Sequence, residues 1–326
     1  MGGLSKLGPP TRQVENKMTA YVIRRLLWII PVLLAITLVT FFLMHSIKGG
    51  PFETSGKSND AARLALKEKY HLTDPVYKQY FYYMEHLVQG DLGPDLAHPG
   101  TSVNDILGKS WKPTVVLGLL AAVYIIVIGV SLGVIAAMNR NTLLDYLSVG
   151  FATVGASAPN FVLGIILVVL FAVELHWLPA VGWAKSWTDW KPVILPTIVL
   201  GSLPAAYVAR LTRASMIEVM NQDYVRTARA KGLRERVVIT RHILRNALVP
   251  VLTVIGPITA GLVTGSFIVE YFFAIPGIGR SYVQAIQGRD YPLIMATTLI
   301  YAFVITIANL WVDLAYAVVD PRIRYT

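Results

Sequence analysis

From Leu26 to Met44 the chain carries no charged residue, and Arg24 and Arg25 stand just before it. Similar runs extend from about Pro113 to Met138, Tyr146 to Val173, Val193 to Leu211, Leu248 to Val269 and Pro292 to Val319, each with at most one charge. About 20 apolar residues in helical form cross a hydrocarbon core of ~30 Å. In lipid the backbone must satisfy its own N–H and C=O groups, which selects helices for runs of this kind. The expectation is an all-α membrane protein with about six transmembrane helices.

Charge supports that class. Of 326 residues only 15% are charged and 55% are hydrophobic, against roughly 25% charged in soluble domains. The absence of cysteine excludes disulfides, thiolate metal sites and cysteine catalysis. A net charge of +10 could suit nucleic acid or anionic lipid. The basic residues gather at the ends of apolar runs rather than beside stacking aromatics, so the expected surroundings are a bilayer and no nucleic acid.

Placement of Lys and Arg sets an expected orientation. From Arg210 to Arg245 there are nine Lys/Arg against Glu218, Asp223 and Glu235. Together with Arg24 and Arg25, this places that loop, the N-terminus and the DPRIR tail in the cytoplasm. Residues 1–17 are polar with Gly and Pro and are expected to be disordered. Residues 45–112 would lie outside, with helices over Ser58–Tyr70 and Pro75–Val88. The second helix carries Tyr77, Tyr80, Phe81, Tyr83 and Met84, a face that packs on neighbours more readily than it grips a ligand. Trp177, Trp183, Trp187 and Trp190 read as an interfacial belt.

Between the fourth and fifth runs stands DYVRTARAKGLRERVVITRHILRNALVP, Asp223 to Pro250. Asp223 can cap a short helix through Tyr224, Ala228 and Lys231, and Gly232 can stop it in a left-handed turn. Beyond it, Val238, Ile239, Ile243 and Leu244 recur at helical spacing among arginines. Two short helices joined at a glycine make a docking knob. A plain basic loop marking the cytoplasmic side is the simpler alternative.

This segment resembles the cytoplasmic coupling loop of permeases in ATP-binding-cassette importers, closest to the dipeptide and oligopeptide family. The general loop has Glu-Ala-Ala four residues ahead of a glycine. Here Arg226, Thr227 and Ala228 hold the triplet and Gly232 the glycine. The run DYVRTARAKGL followed by RHILRNALVP agrees better with the peptide subfamily, though Arg234 stands where a capping serine is common. AIPGIGR, RDYP and NLWVDLAYAVVDPRIR also resemble family segments; Ile275 replaces a usual tryptophan, and Gly49-Gly50-Pro51 replaces a usual Gly-Asp-Pro.

The resemblance implies a non-catalytic transport subunit in the cell membrane, forming half of a path for short peptides. Its implied partners are a second similar permease, two cytoplasmic ATP-binding subunits that use ATP and Mg, and an extracytoplasmic substrate-binding protein. Nickel chelates or another small solute are alternative cargoes within the family. A secondary, ion-coupled transporter is the alternative outside it. Implied ATPase-contact residues are Asp223, Tyr224, Arg226, Thr227, Ala228, Arg229, Ala230, Lys231, Gly232, Arg241 and His242. The expected division is a cytoplasmic N-terminus 1–17, a first transmembrane helix 18–44, an external segment 45–112, a permease core 113–319 with its loop 212–247, and a tail 320–326.

Other chemistry finds little support. Gly56-Lys57-Ser58 and Gly108-Lys109-Ser110 lack the glycine five positions earlier that a phosphate-binding loop needs; Pro51 and Val103 stand there. No pattern suggests hydrolysis or a metal site. Asp313 is the main acid within a run, with Asn309 one turn away. They serve helix packing or a translocation path, as do Pro159 and Asn160 at an expected kink, and Gly261 with Gly265, a pair that allows close helix approach.

Overall fold

A computed structural model describes residues 10–47, 60–98, 100–157, 159–184, 186 and 188–319, with side chains left aside at 10–21, 60–63, 66, 151–152, 154–157 and 312–319. All regular elements among the described residues are helical. Two compact units emerge, one made of residues 1–99 with 288–326 and the other of residues 100–287.

The first unit contains α1 (Pro10–Ser46), α2 (Asp60–Lys69), α3 (Val76–Val88) and α12 (Tyr291–Val319). Helix α1 begins well before residue 18, so residues 10–17, expected to be disordered, are helical. It lies along α12 and meets α3 near its end. There Tyr80 of α3 packs edge-on against Phe41, and its hydroxyl lies 3.2 Å from Thr37 Oγ1. His45 stacks on Phe41 and its Nε2 lies 3.1 Å from Gln79 Oε1. The aromatic face of α3 is thus divided: Tyr80 packs inward, while Tyr77 and Phe81 stay exposed.

The second unit holds α4 (Val103–Met138), α5 (Leu143–Ser157), α6 (Asn160–Glu174), α7 (Lys191–Met220), α8 (Asp223–Ala230), α9 (Glu235–Val263), α10 (Phe267–Phe272) and α11 (Ile278–Gly288). Helix α7 is central, packing on α4, α5, α6 and α9. Leu195, Val199 and Val208 of α7 meet Leu117, Ala121 and Ile125 of α4, Val251 of α9 and Phe273 with Ile275 beyond α10 in one apolar core. A π-turn at Ile125–Gly129 widens α4 beside α7.

Among the described residues, five helices are long and apolar enough to cross a membrane: Val22–Ser46 within α1, α4, α7, α9 and Tyr291–Trp311 within α12. The expected third run is divided. Pro159 has φ −53° and ψ 142°, which ends α5 and starts α6, so the chain breaks where a kink within one helix was expected. The fifth run also stops early, at Val263 rather than Val269, and α10 starts anew from Ser266, whose hydroxyl accepts from Val269 N–H. Trp177 and Trp190 are exposed and Trp183 packs on the apolar core, while Trp187 lies outside the described residues. Gly108-Lys109-Ser110 falls inside α4, where no phosphate-binding turn can form; Gly56-Lys57-Ser58 lies outside the described residues.

Candidate functional site

The basic segment folds as two helices about a glycine. Helix α8 ends as Lys231 N–H donates to Thr227 C=O at 3.0 Å and Gly232 N–H to Arg229 C=O at 2.9 Å. Gly232 has φ +72°, the left-handed conformation that a Cβ disfavours. Open space surrounds the position a Cβ would take, so the requirement is one of backbone conformation alone. Asp223 is not the cap, a correction to the expectation. Gln222 holds the extended cap position without a side-chain bond, and Asp223 sits in the first turn, where its charge suits the helix dipole.

The knob has its own small core. Val225 and Ala228 of α8 meet Val238, Ile243 and Ala247 of α9, with Met216 of α7 and Ala137 of α4 beneath. Val238–Leu244 is a π-turn, so the buried pair Val238 and Ile243 is five residues apart, not the four of a regular helix. Asn246 Nδ2 donates to the Tyr224 hydroxyl at 3.0 Å, tying the two helices on the outer side. Arg229 donates to Glu235 from Nε at 3.3 Å and from Nη2 at 2.8 Å, bridging Gly232.

The rest of the segment faces outward. Arg226, Arg229, Lys231, Arg234, Arg236, Arg241 and Arg245 are all exposed, as are Thr227 and Ala230. His242 is half-buried and its carbonyl accepts from Asn246. The arrangement is a basic surface laid over a small apolar core.

At the root of this surface stands a pair that sequence reasoning did not single out. Arg213 donates to Asp145 from Nε and Nη2, each at 2.7 Å, joining α7 to α5. Those hydrogen bonds hold the Asp145 carboxyl down at about 2, although burial opposes them. Asp145, Tyr146, Val149, Arg210 and Arg213 line a recess of ≈ 310 Å³.

The other expected site residues scatter. Asn160 begins α6 directly after Pro159. Gly261 lies in α9 with open space around it, and Gly265 lies beyond the end of α9 at φ +108°, so they form no helix-approach pair. Asn309 is exposed on α12, and the Asp313 side chain lies outside the described residues.

Gly265 instead belongs to a buried cradle. Glu270, fully buried, accepts from Ser266 N–H at 3.1 Å and from Gly279 N–H at 2.8 Å. Thr114 Oγ1 lies 3.2 Å from Glu270 Oε2 and accepts from Ile278 N–H at 2.9 Å. Burial raises the Glu270 carboxyl, and the donors around it pull the other way. A Cβ on Gly277 would collide with both the Glu270 carboxylate and the Thr114 hydroxyl, which accounts for the PGIG turn. The signal in the sequence was a lone acid at the end of an apolar run, separated by Tyr271 to Ile275 from that glycine-rich turn.

Comparison with known proteins gives this architecture a family. Residues 129–325 match the family described as binding-protein-dependent transport system inner membrane component, and residues 18–130 match the N-terminal model of such membrane components. The chain is 45% identical over 307 residues to the dipeptide transport system permease protein DppB of Bacillus subtilis (strain 168), covering 94% of this chain and 98% of the relative. It is 41% identical over 308 residues to the oligopeptide transport system permease protein OppB of Escherichia coli (strain K12), covering 94% of this chain and 100% of that one. Among solved structures, the MetNI methionine ABC transporter in inward-facing conformations aligns with a TM-score of 0.54 at 17% identity, covering 66% of this chain and 96% of that chain, a likeness of fold. The chain belongs to the family of binding-protein-dependent transport system inner membrane components.

Proposed function

We propose that this chain is one of two permease subunits of an ATP-driven importer of short peptides, and that ATP is hydrolysed by separate subunits. The observation that carries the reading is the knob at 223–247: two helices hinged at Gly232, braced by their own core, with the basic residues outward. Such a body transmits displacement rather than absorbing it, because its core, the Arg229–Glu235 bridge and the Tyr224–Asn246 bond resist independent movement of its halves. The 212–247 loop would seat in a groove on one ATPase, and closure of the ATPase pair would move α7 and α9, which flank it.

The cargo reading rests on the peptide permeases that resemble this chain over nearly its whole length. In the proposed arrangement the chain crosses the membrane six times, counting α5 with α6 as one broken crossing. The N-terminus, the 212–247 loop and the tail lie in the cytoplasm, and an extracytoplasmic binding protein delivers the peptide. To test this, the chain is purified with its partners, which are identified by mass spectrometry, and the assembly is reconstituted for uptake of labelled di- and oligopeptides. ATP-dependent peptide uptake that requires partner ATPases is the expected result. Uptake driven by an ion gradient without them would refute the reading.

A further inference from the structure

Two buried acids in the first unit face the same backbone amide. Asp95 and Asp290 are 1% and 0% exposed. Asp290 starts α12: its Oδ1 accepts from Leu293 N–H at 3.1 Å and its main-chain carbonyl from Ile294 N–H at 3.0 Å. Its Oδ2 reaches a distant segment, accepting from Leu96 N–H at 2.8 Å and Ala97 N–H at 3.2 Å. The same Ala97 N–H donates to Asp95 Oδ1 at 2.8 Å, so one amide hydrogen faces both carboxyl groups. Two buried carboxyl groups drawn to one amide hydrogen in this way disfavour a second negative charge, so a proton on one of them relieves the pair.

We propose that Asp95 and Asp290 form a proton-binding site that fastens the 95–98 turn to the start of α12 while one proton is shared, and loosens the turn when that proton leaves. The ligand is the proton itself. Burial and the neighbouring Asp95 push the Asp290 carboxyl from 3.8 up to about 7, and Asp95 moves the opposite way, down. A raised acid binds its proton more tightly when the turn is fastened than when it is open. Fastening therefore weakens as pH rises from the ordinary carboxyl value to about 7, and changes little above it.

Few charged groups face the pair. His98 donates to Asp95 Oδ1 from its backbone at 3.2 Å, and its Nδ1 lies 2.8 Å from Asp95 Oδ2 with the ring 80% exposed. The first N–H groups of α12 face Asp290. Arg289 and Tyr291 flank Asp290 in sequence. On α1, His45 lies against the Tyr291 ring at 4.9 Å, and its nitrogens are engaged by Phe41 C=O and Gln79. Asp290 first, then the His98 ring and the Ala97 and His98 N–H groups, hold the Asp95 carboxyl down against its burial, which favours Asp290 as the carrier of the proton.

The test is amide hydrogen exchange at Leu96 and Ala97 in the full chain in lipid nanodiscs, corrected for the intrinsic pH dependence of exchange. The wild type should lose protection by about tenfold per pH unit between about pH 5 and pH 7 and then level off. Asp290→Asn places a permanent N–H donor against Asp95 while its carbonyl still caps α12, so protection should be flat with pH. Asp95→Asn should flatten it too, by donating to an ionised Asp290. Infrared titration gives a second reading: a protonated carboxyl band should fade through about pH 7 in the wild type and be missing from Asp290→Asn, which separates it from the raised Glu270. Wild-type protection without that slope, a slope that persists in Asp290→Asn, or no such band would each overturn the proposal. The outcome does not depend on what the chain transports.

Discussion

Arg229 reaches across Gly232 to Glu235, its Nη2 lying 2.8 Å from Glu235 Oε1, so the residues on either side of the hinge are held by a bidentate pair. Both partners are about half exposed, with side chains 43% and 52% accessible, which limits the pair to under ~1 kcal/mol. The apolar core under α8 and α9 holds the two helices together, the bridge adds to it, and the left-handed glycine permits the turn between them.

Gly232→Val should therefore lower uptake and substrate-stimulated ATP hydrolysis without removing the protein from the membrane. The backbone at φ +72° makes a side chain costly by roughly 1 kcal/mol or somewhat more, and the spans satisfy their bonds internally. Gly232→Asn should be milder, since asparagine tolerates that conformation. Uptake, ATPase activity and membrane level are compared in the reconstituted assembly; normal uptake in the valine variant would remove Gly232 from the coupling account.

Asp145→Asn should destabilise the second unit by ~2 kcal/mol, read as a lowered thermal midpoint in detergent. The figure falls below the ~3–5 kcal/mol of a fully buried pair because Arg213 is 30% exposed and water relieves it. Arg213→Lys should recover only part, because an ammonium cannot make both bonds at once. The sign in pH is that of a depressed acid: the contribution is complete above 3.8 and is lost only as pH falls toward about 2. A midpoint difference between wild type and Asp145→Asn that changes between about pH 5 and pH 8 would contradict this assignment.

Glu270→Gln should cost ~1–3 kcal/mol, since an amide nitrogen would face the Gly279 or Ser266 N–H that the carboxylate now accepts. Gly277→Ala should be at least as damaging, because its methyl group would occupy the space of the carboxylate and the Thr114 hydroxyl. Thermal unfolding of both variants checks this, and wild-type midpoints would show that the cradle carries no stability.

What the sequence disclosed follows from how far each interaction reaches along the chain. Membrane helices were legible because hydropathy is a local property, and the left-handed Gly232 because a basic helix stops and restarts around it. The break at Pro159 was visible as a proline but not as a full break, which depends on the extended backbone there. Glu270 with Thr114 is separated by 156 residues and Asp145 with Arg213 by 68, distances over which periodicity carries no information. Gly261 and Gly265 looked like a packing pair because their spacing assumed a helix that in fact ends at Val263.

The proposed orientation can be read by thiol chemistry, since the chain contains no cysteine. Single cysteines at positions 58 and 226 are exposed to an impermeant reagent in intact cells. Labelling of Ser58→Cys and protection of Arg226→Cys is the expected pattern; the reverse would invert the topology.

The central claim, that the 223–247 knob docks on a separate ATPase, is tested most directly by a photo-crosslinking residue at Arg226 or Lys231, irradiated in native membranes. Captured partners are identified by mass spectrometry. The account predicts one dominant product, an ATP-binding subunit joined to this chain, whose yield changes when ATP is added. Crosslinks to lipid alone, or to a chain without an ATP-binding fold, would contradict it.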